Sequence, residues 1–295
     1  MSYILSCCST ADLTKEHLES RDIKYIYFHY YINDVEYPDD LGQTIRFDKF
    51  YQMMEEGADT RTSQINADEF VAYFTPFLKE GKDIIHVSLS SGLSGVYNSA
   101  VTAREILKEE FPEREIYIVD SLAASAGYGL LMDKLADLRD SGMSAEELVA
   151  WAEENKKRVQ HWFFSTDLKY FVKGGRVSRV AGFFGTMLKI CPLLHVSNEG
   201  KLIPKEKIRL KRNAIVAAFE KMKKYADKGE GYDEKCFISC SACEGDARAV
   251  AELIEEYFLK MNGKVQIMSI GTTIGSHTGP GTVALFFWSD STDRE

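Results

Sequence analysis

The sequence predicts an α/β protein of two domains, and three observations carry that expectation. Short apolar strands alternate with amphipathic helices up to about residue 140, the pattern of a mostly parallel sheet covered on both faces, hence three layers. An apolar strand ending at Val87 runs through the glycine–serine turn Ser88-Leu89-Ser90-Ser91-Gly92-Leu93-Ser94-Gly95 into a helix-compatible segment. Beyond residue 160 the strands become closer neighbours, which suggests a mixed sheet with more antiparallel pairing. The expected division is a Rossmann-like N-terminal domain, residues 1–160, and a smaller mixed α/β C-terminal domain, residues 161–295.

Taken in chain order, Tyr3–Ser6 reads as a strand and Thr14–Ser20 as a helix. Tyr25–Tyr31 is aromatic and β-branched enough for a strand, and Phe47–Glu55 has helical spacing. Between two helical segments lies a hydroxyl cluster, Arg61-Thr62-Ser63-Gln64. Phe70, Phe74, Phe77 and Leu78 place one apolar face on a helix over Ala67–Glu80. Ile84–Ser88 is a strand, Val96–Glu109 a helix and Ile116–Val119 a strand. Leu131, Leu135 and Leu138 mark a helix over Ser125–Arg139, followed by a helix at Ala145–Arg158 and a strand around Trp162-Phe163-Phe164. Leu193–Val196 and Leu202–Ile208 form a strand pair turning through Asn198-Glu199-Gly200. A helix at Asn213–Tyr225, a strand at Lys235–Cys240, a helix at Asp246–Lys260 and strands at Val265–Ile270 and Thr282–Trp288 complete the chain.

Composition narrows the function classes. With 295 residues, 45% of them hydrophobic, the chain can bury a sizeable core. A net charge of −9 without a basic block argues against nucleic acid as a partner. The first residues lack the basic and apolar regions of a signal peptide, and the apolar stretches Phe183–Val196 and Val283–Trp288 are short or broken by Lys189. The expectation is a cytoplasmic protein without stable membrane insertion. Cys236, Cys240 and Cys243 have some metal-ligand flavour, but Cys236–Cys240 reads as a buried strand and no histidine stands at zinc spacing. No metal and no cofactor are expected.

Motifs sharpen this. No Gly-Lys pair has the glycine a P-loop needs: Pro76, His195 and Phe258 stand there instead. Gly127-Tyr128-Gly129 has Met132 at the third glycine position of a dinucleotide fingerprint, and a strand rather than a helix follows Gly279-Pro280-Gly281. The turn before Val96 sets Ser94, Gly95 and the next amides at a helix N-terminus, where unpaired N–H groups and the helix dipole favour an anion. The same turn nearly forms a nucleophile elbow, except that Val96 replaces the final glycine. Ser94, Asp120 and His277 fall in hydrolase order, so a serine esterase or thioesterase is the competing reading. Lys173-Gly174-Gly175-Arg176 is a glycine helix stop, and also a place to aim the Arg176 fork at a carboxylate or phosphate. Ile274-Gly275-Ser276-His277-Thr278-Gly279-Pro280-Gly281 reads as a tight connector that presents His277 on a loop.

These pieces together resemble the DegV family: Ser9-Thr10-Ala11-Asp12-Leu13, Arg61–Gln64, Ser90–Ala100, Asp120-Ser121, Leu168–Ser178 and the Gly/His/Pro segment 270–281, in order over nearly the whole chain. The resemblance implies a two-domain α/β fold whose C-terminal domain completes a lipid pocket holding one long-chain fatty acid. It implies a carrier rather than an enzyme, one that presents the acyl carboxylate to a separate fatty acid kinase for acyl-phosphate formation in phospholipid synthesis. By motif, Thr62 and Ser94 would bond the carboxylate, with Ser63 and Gly95 beside them, while Arg176 and His277 complete the polar network. Arg209 resembles a position facing the kinase. Cys8 replaces a usual Asp, Ile65-Asn66 a usual Pro-Ser and Cys191 a usual Lys; the first two are expected to alter the rim or chain selectivity. Burying a chain of ~14 methylenes at ~0.8 kcal/mol each contributes on the order of 11 kcal/mol before ordering costs, so the tail would supply most of the affinity.

Overall fold

Strands and helices alternate much as the pattern requires in the computed structural model, which describes residues 3–177 and 190–294. The strands are β1 (Tyr3–Cys8), β2 (Ile23–Ile26), β3 (His29–Ile32), β4 (Val35–Pro38), β5 (Thr60–Ser63), β6 (Asp83–Ser88), β7 (Ile116–Asp120), β8 (Val159–Ser165), β9 (Ile190–Val196), β10 (Leu202–Arg209), β11 (Phe237–Cys240), β12 (Gln266–Ser269) and β13 (Thr282–Trp288). The helices are α1 (Lys15–Ser20), α2 (Phe47–Glu55), α3 (Ala67–Lys79), α4 (Val96–Glu110), α5 (Ser125–Asp140), α6 (Ala145–Asn155), α7 (Lys169–Lys173), α8 (Lys211–Tyr225), α9 (Glu244–Tyr257) and α10 (Thr272–Thr278). Ser178, and the apolar stretch from Phe183 to Lys189, lie outside the described residues.

An all-parallel sheet β2-β1-β6-β7 occupies the first part of the chain. Helix α3 covers one face, where Phe70 and Phe74 meet the ring of His86 edge-on. On the other side the Tyr3 hydroxyl reaches Met143 O, just past α5. Polar side chains inside this sheet find partners: His86 Nδ1 lies 3.0 Å from Ser6 Oγ, and burial pushes its pKa down to about 3, so the ring stays neutral. Capping boxes start α3 (Asn66 with Glu69) and α6 (Ser144 with Glu147).

The later strands build a sheet ordered β10-β9-β8-β13-β11-β12, antiparallel except for the β11–β12 pair; it is the widest of the three sheets among the described residues. A small antiparallel sheet, β4-β3-β5, was not foreseen. The expected strand Tyr25–Tyr31 is split at Tyr27-Phe28 into β2 and β3, which join different sheets. The Arg61–Gln64 cluster is mostly strand β5, its hydroxyl-rich composition masking a ladder with β3 in which Thr62 opposes Tyr30. The 270–281 connector contains helix α10, which is therefore what carries His277.

Segments cross between these sheets. Helix α5 packs on β8, β11 and β13 of the wide sheet while its Tyr128 hydroxyl bonds Val87 O and the Cys8 amide at the ends of β6 and β1. Gly127 and Gly129 permit that double contact. A Cβ on Gly127 would come within 2.3 Å of the His161 ring, and one on Gly129 within 2.6 Å of Ala11 O. Helix α10 packs against β3 and β5 of the small sheet.

Candidate functional site

Where the carboxyl ends of the parallel strands meet the wide sheet, the structure encloses a cavity of about 400 Å³, within the range of roughly 300–1,000 Å³ common to small-molecule sites. Its wall is mainly apolar, with Leu89, Phe163, Phe171, Ala284 and Phe286 among the lining residues. Polar groups gather where β5, the 89–94 turn, the segment after α7, and α10 converge.

Thr62 comes from β5 and His277 from α10, and their Oγ1 and Nε2 lie 2.8 Å apart. Ser94 comes from the turn after β6; its hydroxyl donates to Gln64 Oε1 at 3.2 Å and accepts the Val96 amide at 3.2 Å, at the start of α4. Arg176 is exposed at the mouth, where it donates from Nε to Leu93 O (3.1 Å) and from Nη1 to Gly174 O (2.5 Å). It thereby clips the Ser94 turn to the end of α7. Ser63 also lines the cavity. Gly95 does not line it; it is the N-cap of α4, and a Cβ there would come within 2.9 Å of the Gln64 amide. Arg209 stands apart, exposed at the end of strand β10 at the rim of the wide sheet.

Electrostatics at this end follow from burial. Desolvation, then the Arg176 charge, pushes the His277 imidazole down to about 4, so it is neutral near pH 7. Its Nδ1 is buried against Gly174, which has room for no Cβ because one would sit 2.2 Å from that nitrogen. Helix α10 is fixed at its start by two buried carboxylates. Asp12 accepts the Gly271 amide (3.0 Å) and the Ser125 hydroxyl; Asp39 accepts the hydroxyls of Thr272 (2.6 Å) and Ser9 (3.1 Å). Burial raises both carboxyls above their ordinary range. The turn is fixed likewise: Ser90 Oγ donates to Gly200 O at 2.9 Å, and a Cβ on Gly92 would meet Glu199 O at 2.5 Å.

The three side chains of the hydrolase reading have other partners. Ser94 bonds Gln64, His277 bonds Thr62, and Asp120 accepts the amides of Ser91 and Leu122, both at 3.1 Å. The hydrogen bonds that define a triad are therefore not formed among them. The departures from the family pattern are not among the residues that line the cavity. Cys8 is buried in β1 with Sγ 3.6 Å from His86 Nε2, Ile65 is in the core, and Asn66 caps α3. Cys191 is buried in β9. Of the other cysteines, Cys236 packs its thiol on Met222, and Cys243 caps α9 with Sγ 3.2 Å from Thr282 O.

Gln64, Thr278 and the apolar wall were not singled out by the sequence. The wall residues alternate along paired strands, Phe163 opposite Ala284 and His161 opposite Phe286. That period of two places them on one face.

Comparison with known proteins places the chain in a family and a fold. The profile described as an uncharacterised protein of the DegV family matches residues 8–290. A DegV domain-containing protein of Clostridium perfringens is 36% identical over 289 residues, 98% of each chain. A protein of Thermotoga maritima named fatty acid-binding protein is 32% identical over 280 residues, 93% of each. The solved structure of a DegV family protein from Thermus thermophilus, described by its fatty acid binding, superposes with a TM-score of 0.85 at 26% identity, covering 98% of this chain and all of that one.

Proposed function

The chain belongs to the DegV family, and from that premise we propose that it carries one long-chain fatty acid in the cavity and presents its carboxylate to a separate fatty acid kinase. The observation that carries the reading is the division of the cavity into an apolar wall and one polar end where Thr62, Ser94, Arg176 and His277 converge. The Thr62 hydroxyl, accepting from His277 Nε2–H, and the Ser94 hydroxyl, turned from Gln64 Oε1 to the ligand, donate to the carboxylate, and the Arg176 guanidinium offsets its charge at the mouth. His277 is neutral, so it orients Thr62 rather than adding charge. The tail lies along Phe163, Phe171 and Ala284, whose surfaces supply the bulk of the affinity. The kinase half of the proposal rests on the family resemblance, with Arg209, exposed on β10, as its contact.

Mass spectrometry of the purified protein, first native and then denatured, tests the ligand class. We expect a stoichiometric long-chain carboxylic acid released only on denaturation. An empty protein that also refuses added oleate and palmitate overturns the reading. Fluorophosphonate is expected to leave Ser94 unlabelled; labelling with ester turnover returns the hydrolase to first place. The kinase step is checked by acyl-phosphate formation from loaded protein, and Arg209→Glu should slow it without changing fatty acid affinity.

A further inference from the structure

We propose that Cys240 and Cys243 form a reversible disulfide, which makes the turn from β11 into α9 a site of oxidation by hydroperoxides. Cys240 ends β11 and Cys243 is the N-cap of α9, so the pair stands as Cys240-Ser241-Ala242-Cys243 across a strand-to-helix turn. Ala242 lies at φ 52°, a left-handed conformation that favours glycine, and there the chain turns so that the two thiols share a hydrogen bond. Ser241 holds the turn from behind. Its amide donates to Thr282 O (3.0 Å), its Oγ donates to Gly279 O (2.7 Å), and its carbonyl accepts the Gly281 amide (2.7 Å). The other four cysteines are placed differently: Cys7 and Cys8 are successive residues of β1 that point to opposite faces, Cys191 sits in β9, and Cys236 packs its thiol on Met222.

Access and ionisation fit that chemistry. Cys243 is partly exposed and, with Ala242, Lys169, Tyr170 and Lys211, lines a surface cleft of about 310 Å³ that shares no lining residue with the acyl cavity. Cys240, behind it, is 7% exposed, which suits an oxidant as small as hydrogen peroxide. Donation from the Cys243 thiol outweighs burial and, with the Cys243 amide, holds the Cys240 thiol below its usual range; the same contact, with burial, pushes Cys243 up. Cys240 is therefore the nucleophile and Cys243 the resolving thiol. The Cys240 thiolate attacks one peroxide oxygen and becomes a sulfenic acid, and the hydroxide that leaves takes up the proton the thiol had lost. The Cys243 thiol then attacks the sulfenic sulfur, whose hydroxyl departs with the Cys243 proton as water. Two thiols and one peroxide thus give one disulfide and two waters, and a dithiol reductant reverses the change.

Mass spectrometry of the intact protein tests this, with hydrogen peroxide as the probe. Brief treatment should leave the protein two hydrogens lighter. Alkylation after denaturation should then label four of the six cysteines, and non-reducing proteolysis should place the cross-link between Cys240 and Cys243. Dithiothreitol should restore all six labels. An unchanged mass, a cross-link through any other cysteine, or oxidation that dithiothreitol does not reverse overturns the proposal, and none of these readouts needs a variant. Cys243→Ser should stop at the sulfenic acid, trapped by dimedone on Cys240, while Cys240→Ser should lose the reaction. Dimedone on Cys243 in Cys240→Ser, with none on Cys240 in Cys243→Ser, overturns the assigned order of the two thiols. The acyl cavity takes no part in this chemistry, so either result leaves the fatty acid reading as it stands.

Discussion

The two ends of the cavity are built on opposite plans. The polar end is assembled from four distant parts of the chain: Thr62 on β5, Ser94 on a turn, Arg176 after α7 and His277 on α10. The apolar end comes largely from alternate residues of two neighbouring strands, His161 and Phe163 on β8 with Ala284 and Phe286 on β13. Four converging segments can orient a head group but contribute few contacts. Two paired strands give a continuous floor that a tail can lie along. Under the proposed function that difference separates orientation from affinity, and it can be broken at either end.

The largest effect belongs to the floor. Ala284 is buried at its centre, and Ala284→Phe should displace the segment of tail that passes it. Losing about four methylene contacts costs ~3 kcal/mol, a drop of about 100-fold in stearate affinity. An acid short enough to end before Ala284 should change less than threefold. Equal losses for both, measured by calorimetry, would merge the two ends into one.

Acid should act on the polar end. His277 has a folded pKa of about 4 against 6.5 when unfolded. Between those values the unfolded chain takes up the proton and the native one does not, so stability falls as pH drops from 6.5 toward 4. Above 6.5 this group adds no slope, and below 4 the loss is complete. Full depression corresponds to about 3 kcal/mol. His86, His161 and His195 are also depressed, and Asp12 and Asp39 are raised with the opposite sign. Comparing denaturation of the wild type with His277→Gln across this range subtracts those groups. Parallel curves would show that His277 titrates normally.

Thr62→Val keeps shape and removes the hydroxyl, leaving His277 Nε2 without its 2.8 Å partner. The expected loss is about 1.5 kcal/mol, or tenfold, for the fatty acid and none for the fatty alcohol of equal length. A loss shared by acid and alcohol would place Thr62 in the support of the tail.

The same contrast explains what was legible beforehand. The residues of the polar end stand out by type, because hydroxyls, glycines and a fork-shaped cation in one family pattern are chemically conspicuous. Their scaffolds did not. Thr60–Ser63 is too short and polar to read as a strand, and becomes one by pairing with β3. Thr272–Thr278 is poor in helix formers; Asp39 accepting from Thr272 at its start and Gly279 at φ 69° past its end fix it as a helix. The apolar floor was hidden for another reason. Both faces of β8 and β13 are buried throughout, so neither shows the alternation that would have marked Phe163 and Ala284 as a shared surface. The parallel sheet was clear because its strands and helices are long enough to show their periods.

Ser94 gives the smallest and most discriminating test. Its hydroxyl spans Gln64 Oε1 and the Val96 amide, both at 3.2 Å, so the turn keeps part of its support from Ser90 when it is lost. In Ser94→Ala, acid affinity should fall only two- to tenfold, the ~0.5–1.5 kcal/mol of a single hydrogen bond, and alcohol affinity should hold. Presentation to the kinase should fall further than binding does, since a carboxylate held by Thr62 alone can swing within the mouth. If rate and affinity decline together, Ser94 supplies grip alone, and orientation must come from Arg176, which ties Leu93 to Gly174 across the opening.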